Sequence, residues 1–198
     1  MSAEKKLSTQ LARAVSELRQ KKGLSLDRLA TKSGVSRSMI SLIERAESSP
    51  TAAVLDKLAR AFGVTLASLF AQASAESSLP NVPVSKKRDR VPWRDPESGY
   101  VRCNVSPASV SQPMQIVEVH FPPRARVAFE NGARGVRIYQ QIWILAGEIE
   151  ISMGTERHHL REGDCLAMEL DQPTTLFNPT RKETRYALVI APESLVRR

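Results

Sequence analysis

Ser36, Arg37, Ser38, Ser41 and Arg45 fall within ten residues and lie on or near one face of a short helical pattern, with nothing apolar to bury among them. Guanidinium and hydroxyl groups gathered in this way offer charge and hydrogen-bond donors to an anionic partner. The other reactive side chains are more dispersed. Glu118 and His120 alternate onto the same face of an extended stretch, so the pair can point inward together. His158 and His159 are adjacent, so at most one can face a core, and both read as surface residues. Cys103 and Cys165 are too few for a disulfide framework and read as small buried residues, with a redox switch as the alternative.

Charge is distributed unevenly. The chain of 198 residues carries a net +8. Residues 1–72 hold 12 Lys/Arg against 6 Asp/Glu, a net +6, whereas residues 73–100 and 101–198 are each at +1. A basic module joined to a near-neutral one implies a polyanion as partner of the first. No apolar run approaches the roughly 18–20 residues of a membrane span. The start, Met1 to Lys6, is polar, so no signal peptide is expected and residence is expected to be cytoplasmic.

The elements that must hold these groups can be read along the chain. Leu7, Leu11, Val15 and Leu18 recur at helical spacing and stop near Gly23. Ser25 caps a second helix with Leu26, Leu29 and Ala30 inward, ended by Gly34. Ser36 caps a third to about Arg45. Pro50-Thr51 opens a fourth, with Val54, Leu55, Leu58 and Phe62 inward. Thr65 caps a fifth, through Phe70. Residues 73–100 are rich in Ser, Ala and Pro and hold the basic run Lys86 to Arg90, which reads as a solvated linker with phosphate contact as the alternative. Beyond residue 100, short β-rich stretches are separated by Gly147, Gly154-Thr155 and Arg161-Glu162-Gly163-Asp164, the pattern of an all-β barrel or sandwich. The predicted architecture is therefore multidomain, α followed by all-β: residues 7–72, a linker 73–100, and residues 101–198.

The stretch Ser25 to Glu44, with small Ala30, the Gly34 turn and apolar Val35, Ile40 and Ile43, resembles the Cro/C1-type, or XRE-family, helix-turn-helix repressors. The likeness covers about residues 7–70, including the Ser49-Pro50-Thr51 approach to the fourth helix. It implies double-stranded DNA as partner, with the third helix in the major groove. Arg37 is then placed for a two-pronged contact to guanine, and Ser36, Ser38 and Ser41 for phosphates and base edges. Arg45, Lys22 and Arg28, with Lys21, add attraction independent of sequence. Leu42 departs from the family, which usually has a polar base reader there; it leaves a thymine methyl or a protein contact as its role. Protein docking is the alternative use of the whole helical module.

Gly147-Glu148 after Ile142 to Leu145, followed by Arg161 to Asp164 and Asn178-Pro179, resembles a cupin over roughly residues 103–192. Metal-binding cupins carry two histidines, a glutamate and a third histidine. Matched to this chain, those positions fall at Arg134 and Val136 (or Ala133 and Gly135), at Gln140 and at Thr174. None is a usable ligand, so neither metal nor other cofactor is expected. Arg134 or Arg137, Gln140, Thr174, Glu118, His120 and Tyr186 are candidates to line a polar pocket instead, and an inward arginine favours a small carboxylate or phosphate. The expected function is that of a homodimeric DNA-binding repressor modulated by a small molecule in a metal-free barrel. The alternatives are a barrel used only for dimerisation or partner docking, and a metal-dependent epoxidase of similar layout.

Overall fold

The computed structural model describes residues 3–75, 82–108, 114–132 and 137–193. Five helices come first: α1 (Ala3–Lys21), α2 (Leu26–Ser33), α3 (Arg37–Glu44), α4 (Ala52–Phe62) and α5 (Leu66–Ala75). Their starts follow from local side chains. Ser25, Ser36 and Thr51 each take extended backbone and accept a hydrogen bond from the amide three residues on, at Arg28, Met39 and Val54. Such a cap contributes about 1 kcal/mol by satisfying one of the open amides of the first turn. Gly34, at φ 70°, closes α2 with its amide on Ala30. The turn to α3 is thereby set, and Leu29, Val35, Ile40 and Ile43 meet Leu55 and Leu58 in the core.

A partly buried ion pair fixes the far end of α3. Arg19 Nε donates to Glu44 Oε1 at 2.6 Å and Nη2 to Oε2 at 2.9 Å, while Nη1 donates to the Leu24 carbonyl. The hydrogen bond it donates to Glu44 raises the Arg19 pKa above its ordinary value. Both side chains are mostly shielded from water. Glu44→Ala would leave a shielded guanidinium unpaired, and is expected to lower unfolding free energy by about 2–3 kcal/mol, measurable by urea denaturation.

Among the described residues ten strands follow: β1 (Trp93–Arg94), β2 (Val101–Asn104), β3 (Gln115–Phe121), β4 (Arg126–Phe129), β5 (Ile138–Ala146), β6 (Glu148–Met153), β7 (Glu156–Arg161), β8 (Cys165–Glu169), β9 (Thr174–Phe177) and β10 (Thr184–Pro192). They form two antiparallel sheets, ordered β1-β2-β3-β10-β5-β8 and β4-β9-β6-β7, a jelly roll of the cupin type. Alternation puts Val117, Val119, Phe121, Ile142, Ile144, Ile149, Ile151 and Leu176 between the sheets. Among the described residues no helix is long and apolar enough to cross a membrane.

The stretch read as a linker carries more structure than its composition suggests. α5 runs to Ala75, five residues beyond the expected Phe70, because Leu69, Phe70 and Ala73 are buried against the rest of the fold. Lys87–Asp89 make a 3₁₀ turn, and Trp93 pairs into the first sheet opposite Arg102. Four ring contacts then run from α5 into the β-domain: Phe70 to Trp93 at 5.2 Å, Trp93 to Tyr100 at 6.0 Å, Tyr100 to Phe121 at 5.8 Å and Phe121 to Tyr186 at 6.2 Å. The apolar core is continuous across the junction.

Candidate nucleic-acid interface and ligand cavity

Arg37 and Ser38 occupy the first turn of α3 and are exposed, with Ser36 at its cap. Ser41 and Leu42, one turn on, are half-buried, and Arg45 at the end is exposed. Lys22 and Arg28 are exposed near the flanking helix ends. The expected contact residues of α3 therefore project from one short helix. Two acidic partners escaped the sequence reading. Arg37 Nε lies 3.2 Å from Asp27 Oδ1. Arg45 binds Glu47 through Nε and Nη2, and its Nη1 donates to Ser41. The Glu47 carboxyl is held below the usual range, first by that hydrogen bond. These pairs are exposed and weak, so a phosphate or base can displace either carboxylate. Nothing in residue type marks such a pair, because it depends on where the next helix or loop lies.

The second site is a cavity of about 70 Å³ where the helices meet the jelly roll. Thr65, Leu66 and Ala67, with Asp56 of α4, form one wall. Val119, Phe121, Val127, Leu176, Leu188 and Ile190 form most of the other. Gln140 and Thr174 line it as expected, and Thr174 accepts a hydrogen bond from Asn131 at 3.0 Å. Arg134 lies outside the described residues. Arg137 is exposed and pairs with Glu169, so it faces away from the interior.

Glu118 and His120 do not enter the cavity, against expectation. On β3 the inward positions are Val117, Val119 and Phe121, and the period of two turns Glu118 and His120 to the outer face. There His120 Nδ1 contacts Glu183 at 2.8 Å and Arg185 lies near Glu118. The larger apolar set takes the core, and the charged set takes water. His158 and His159 pair with acidic neighbours on the second sheet. Cys165 is exposed and Cys103 half-buried, so neither is the fully buried residue expected; desolvation raises the Cys103 pKa above its ordinary value.

The sequence reading also missed Arg102 and Tyr100. Arg102 is only 4% exposed, borders the cavity, and lies over the Phe70 ring at 4.7 Å. Burial pushes the neighbouring Tyr100 hydroxyl up to about 12. Periodicity offered no signal, since an arginine in a short strand reads as solvent-facing. A metal fits poorly here. Among the described lining residues Asp56 is the single carboxylate, with no histidine or cysteine, and the described Gln140 and Thr174 occupy two positions where metal cupins have ligands.

The two walls are joined by polar contacts. The Ala52 amide donates to Asp95 at 2.7 Å, and Asp95 is buried. Lys57 and Arg60 both reach Glu130, at 2.7 and 3.1 Å. Those bonds, Lys57 first, hold the Glu130 carboxyl below its usual range. A depressed carboxylate stabilises a contact above its unfolded pKa of roughly 4.3 and loses that effect as pH falls through the folded value. Acidification below about pH 4.3, toward the still lower folded value, is therefore expected to loosen the α4–β4 contact progressively. Hydrogen exchange in α4 would register it, and Glu130→Gln should flatten that response.

Residues 15–69 match the helix-turn-helix family model HTH_3. Among curated proteins, the transcriptional regulator SutR of Escherichia coli K12 is 42% identical over 72 residues, covering 36% of this chain and 39% of SutR. The transcriptional regulator PuuR of the same organism is 26% identical over 166 residues, covering 83% of this chain and 85% of PuuR. Among solved structures, an HTH_3 family transcriptional regulator from Vibrio cholerae superposes with a TM-score of 0.74 at 25% identity, over 95% of this chain and 98% of that one. The Vibrio cholerae regulator shares the whole layout, five helices followed by a two-sheet jelly roll, and the helical module of this chain, residues 15–69, is an XRE-family (HTH_3) helix-turn-helix domain.

Proposed function

We propose that the protein is a cytoplasmic, sequence-specific DNA-binding transcriptional regulator, a homodimeric repressor whose affinity for its operator responds to a small molecule in the cupin domain. The observation that carries this reading is the exposed polar face of α3, Ser36 to Arg45, on a module that holds a net +6 of the chain's charge. A helix of this width fits the major groove, and the basic surround supplies phosphate contacts. The regulators of similar layout support it. Pairing of two copies finds support on the outer face of the first sheet, where Trp143 of β5 is 51% exposed and Ile116 of β3, across β10, is exposed as well. An exposed tryptophan on a flat sheet is a common anchor of protein interfaces. Two copies so joined would read half-sites about 34 Å, one helical turn, apart or a multiple of it.

The test is retention of the DNA upstream of the protein's own gene across a salt series. Binding that survives competitor DNA and weakens with salt supports the regulator. Binding equal to that of random DNA would shift the account to protein docking. Repression is tested by a reporter carrying the same DNA. The described cavity lining gives no support to an epoxidase with a His/His/Glu iron site.

A further inference from the structure

We propose that the cavity between α4–α5 and the jelly roll binds a small carboxylate with a compact apolar body, its anionic end held by Arg102. The proposal deepens the ligand-responsive reading above and rests on it for the link to DNA. Arg102 Nε and Nη2 are buried and, among the described residues, have no hydrogen-bond acceptor. The Phe70 ring covers a face of the guanidinium, but the N–H groups point outward in its plane, so that contact does not use them. Leaving two charged donors dry and unpaired is unfavourable by more than an ordinary missing bond. Asp56 borders the same cavity but is not without a partner, so Arg102 is the lining cation with unused donors.

Nε and Nη2 lie side by side, the edge that donates to both oxygens of a carboxylate. The rest of the lining is chiefly aliphatic and aromatic, so the body of the ligand is apolar. The volume of about 70 Å³ limits it to a few carbon atoms. A phosphate dianion would bring a second charge with no described cation to meet it.

The walls come from both domains, and Phe70 of α5 stacks on the anchor itself. A ligand here touches α4 and α5 as well as β2 and β3. It therefore favours the arrangement in which those elements are closed on each other, by its difference in affinity for closed and open forms. α4 packs against α2, and α2 against α3, so the same closure bears on the DNA-reading helix.

The test uses the full chain in a buffer without carboxylates. Acetate, butyrate, isovalerate and benzoate, each beside its neutral amide, are titrated by calorimetry without DNA. At least one carboxylate is expected to bind while its amide does not. Arg102→Met is expected to weaken that carboxylate about tenfold to hundredfold while leaving binding of the upstream DNA unchanged in its absence. Arg102→Lys, which keeps the charge but not the paired donors, should fall between. Should the variants fold poorly, hydrogen exchange in wild-type Val101–Asn104 must slow with the carboxylate and not with its amide. Failure of all four carboxylates to bind, equal binding of the amides, full retention of affinity in Arg102→Met, or unchanged exchange would each overturn the proposal. DNA binding is measured separately, so its loss would sink the regulator reading and leave the carboxylate site to stand or fall by calorimetry.

Discussion

Arg37→Ala is expected to weaken binding to the operator by about 10- to 100-fold while changing affinity for random DNA much less. Arg37 sits in the first turn of α3, its side chain 64% exposed, and its one described charged partner is the equally open Asp27. Breaking an exposed pair of that kind costs little. A two-pronged bond to guanine is worth roughly 1–3 kcal/mol of discrimination, which sets the expected range. Lys22→Ala is the contrasting variant. As a phosphate contact it should weaken specific and random DNA alike and reduce the salt slope by about 1. Equal losses on both DNAs for Arg37→Ala would demote it to a backbone contact. No loss at all would remove α3 from the interface and favour a protein-docking role for residues 7–72.

Gly147→Ala should be among the most damaging single-methyl changes in the cupin domain, lowering unfolding free energy by about 2–5 kcal/mol. Gly147 joins β5 to β6 with φ at 80°, which an alanine adopts only under strain. Its new methyl would also lie 2.9 Å from the Glu183 carbonyl oxygen and 3.1 Å from the Thr184 Cα. Both are backbone atoms at the start of β10, the strand that holds β3 and β5 together, and cannot swing aside. Gly163→Ala separates the two effects. It has φ 90° and nothing within 4 Å of the added methyl, so it carries the strain of roughly 1–3 kcal/mol without the clash. At roughly 2–4 °C per kcal/mol for a chain of this size, thermal unfolding should rank Gly147→Ala well below Gly163→Ala, and that below wild type. Equal midpoints for the two variants would show that β10 yields to the methyl.

Much of the helical module was legible because its signals are local. A serine or threonine cap, an apolar spacing and a closing glycine lie within a few residues of each other, and α2, α3 and α4 begin one residue after Ser25, Ser36 and Thr51. α5 was shortened in the reading because the Ser- and Ala-rich composition that begins at residue 71 was taken for a linker, whereas Ala73 is buried in the fold. The strands were legible as strands, but not always the side facing the core: a period of two says that Glu118 and His120 share a face without saying which. Gln140 and Thr174 were found at the cavity because the cupin pattern ties them to Gly147 and Gly163.

By itself, then, the sequence determined that five helices precede a strand-rich region, the basic character of the first module, the turn and caps of α2 and α3, and the residue types that α3 presents. Each follows from the intrinsic geometry and charge of residues close in the chain. The tertiary structure alone decided that Arg102 is buried, that Trp93–Arg94 complete the first sheet, that Asp27 and Glu47 hold the arginines at the two ends of α3, and that α4 and α5 close one side of the cavity. Those outcomes depend on apolar surface from distant segments competing for one interior. A charged side chain has no sequence pattern that marks the face it must share with Phe70, 32 positions away.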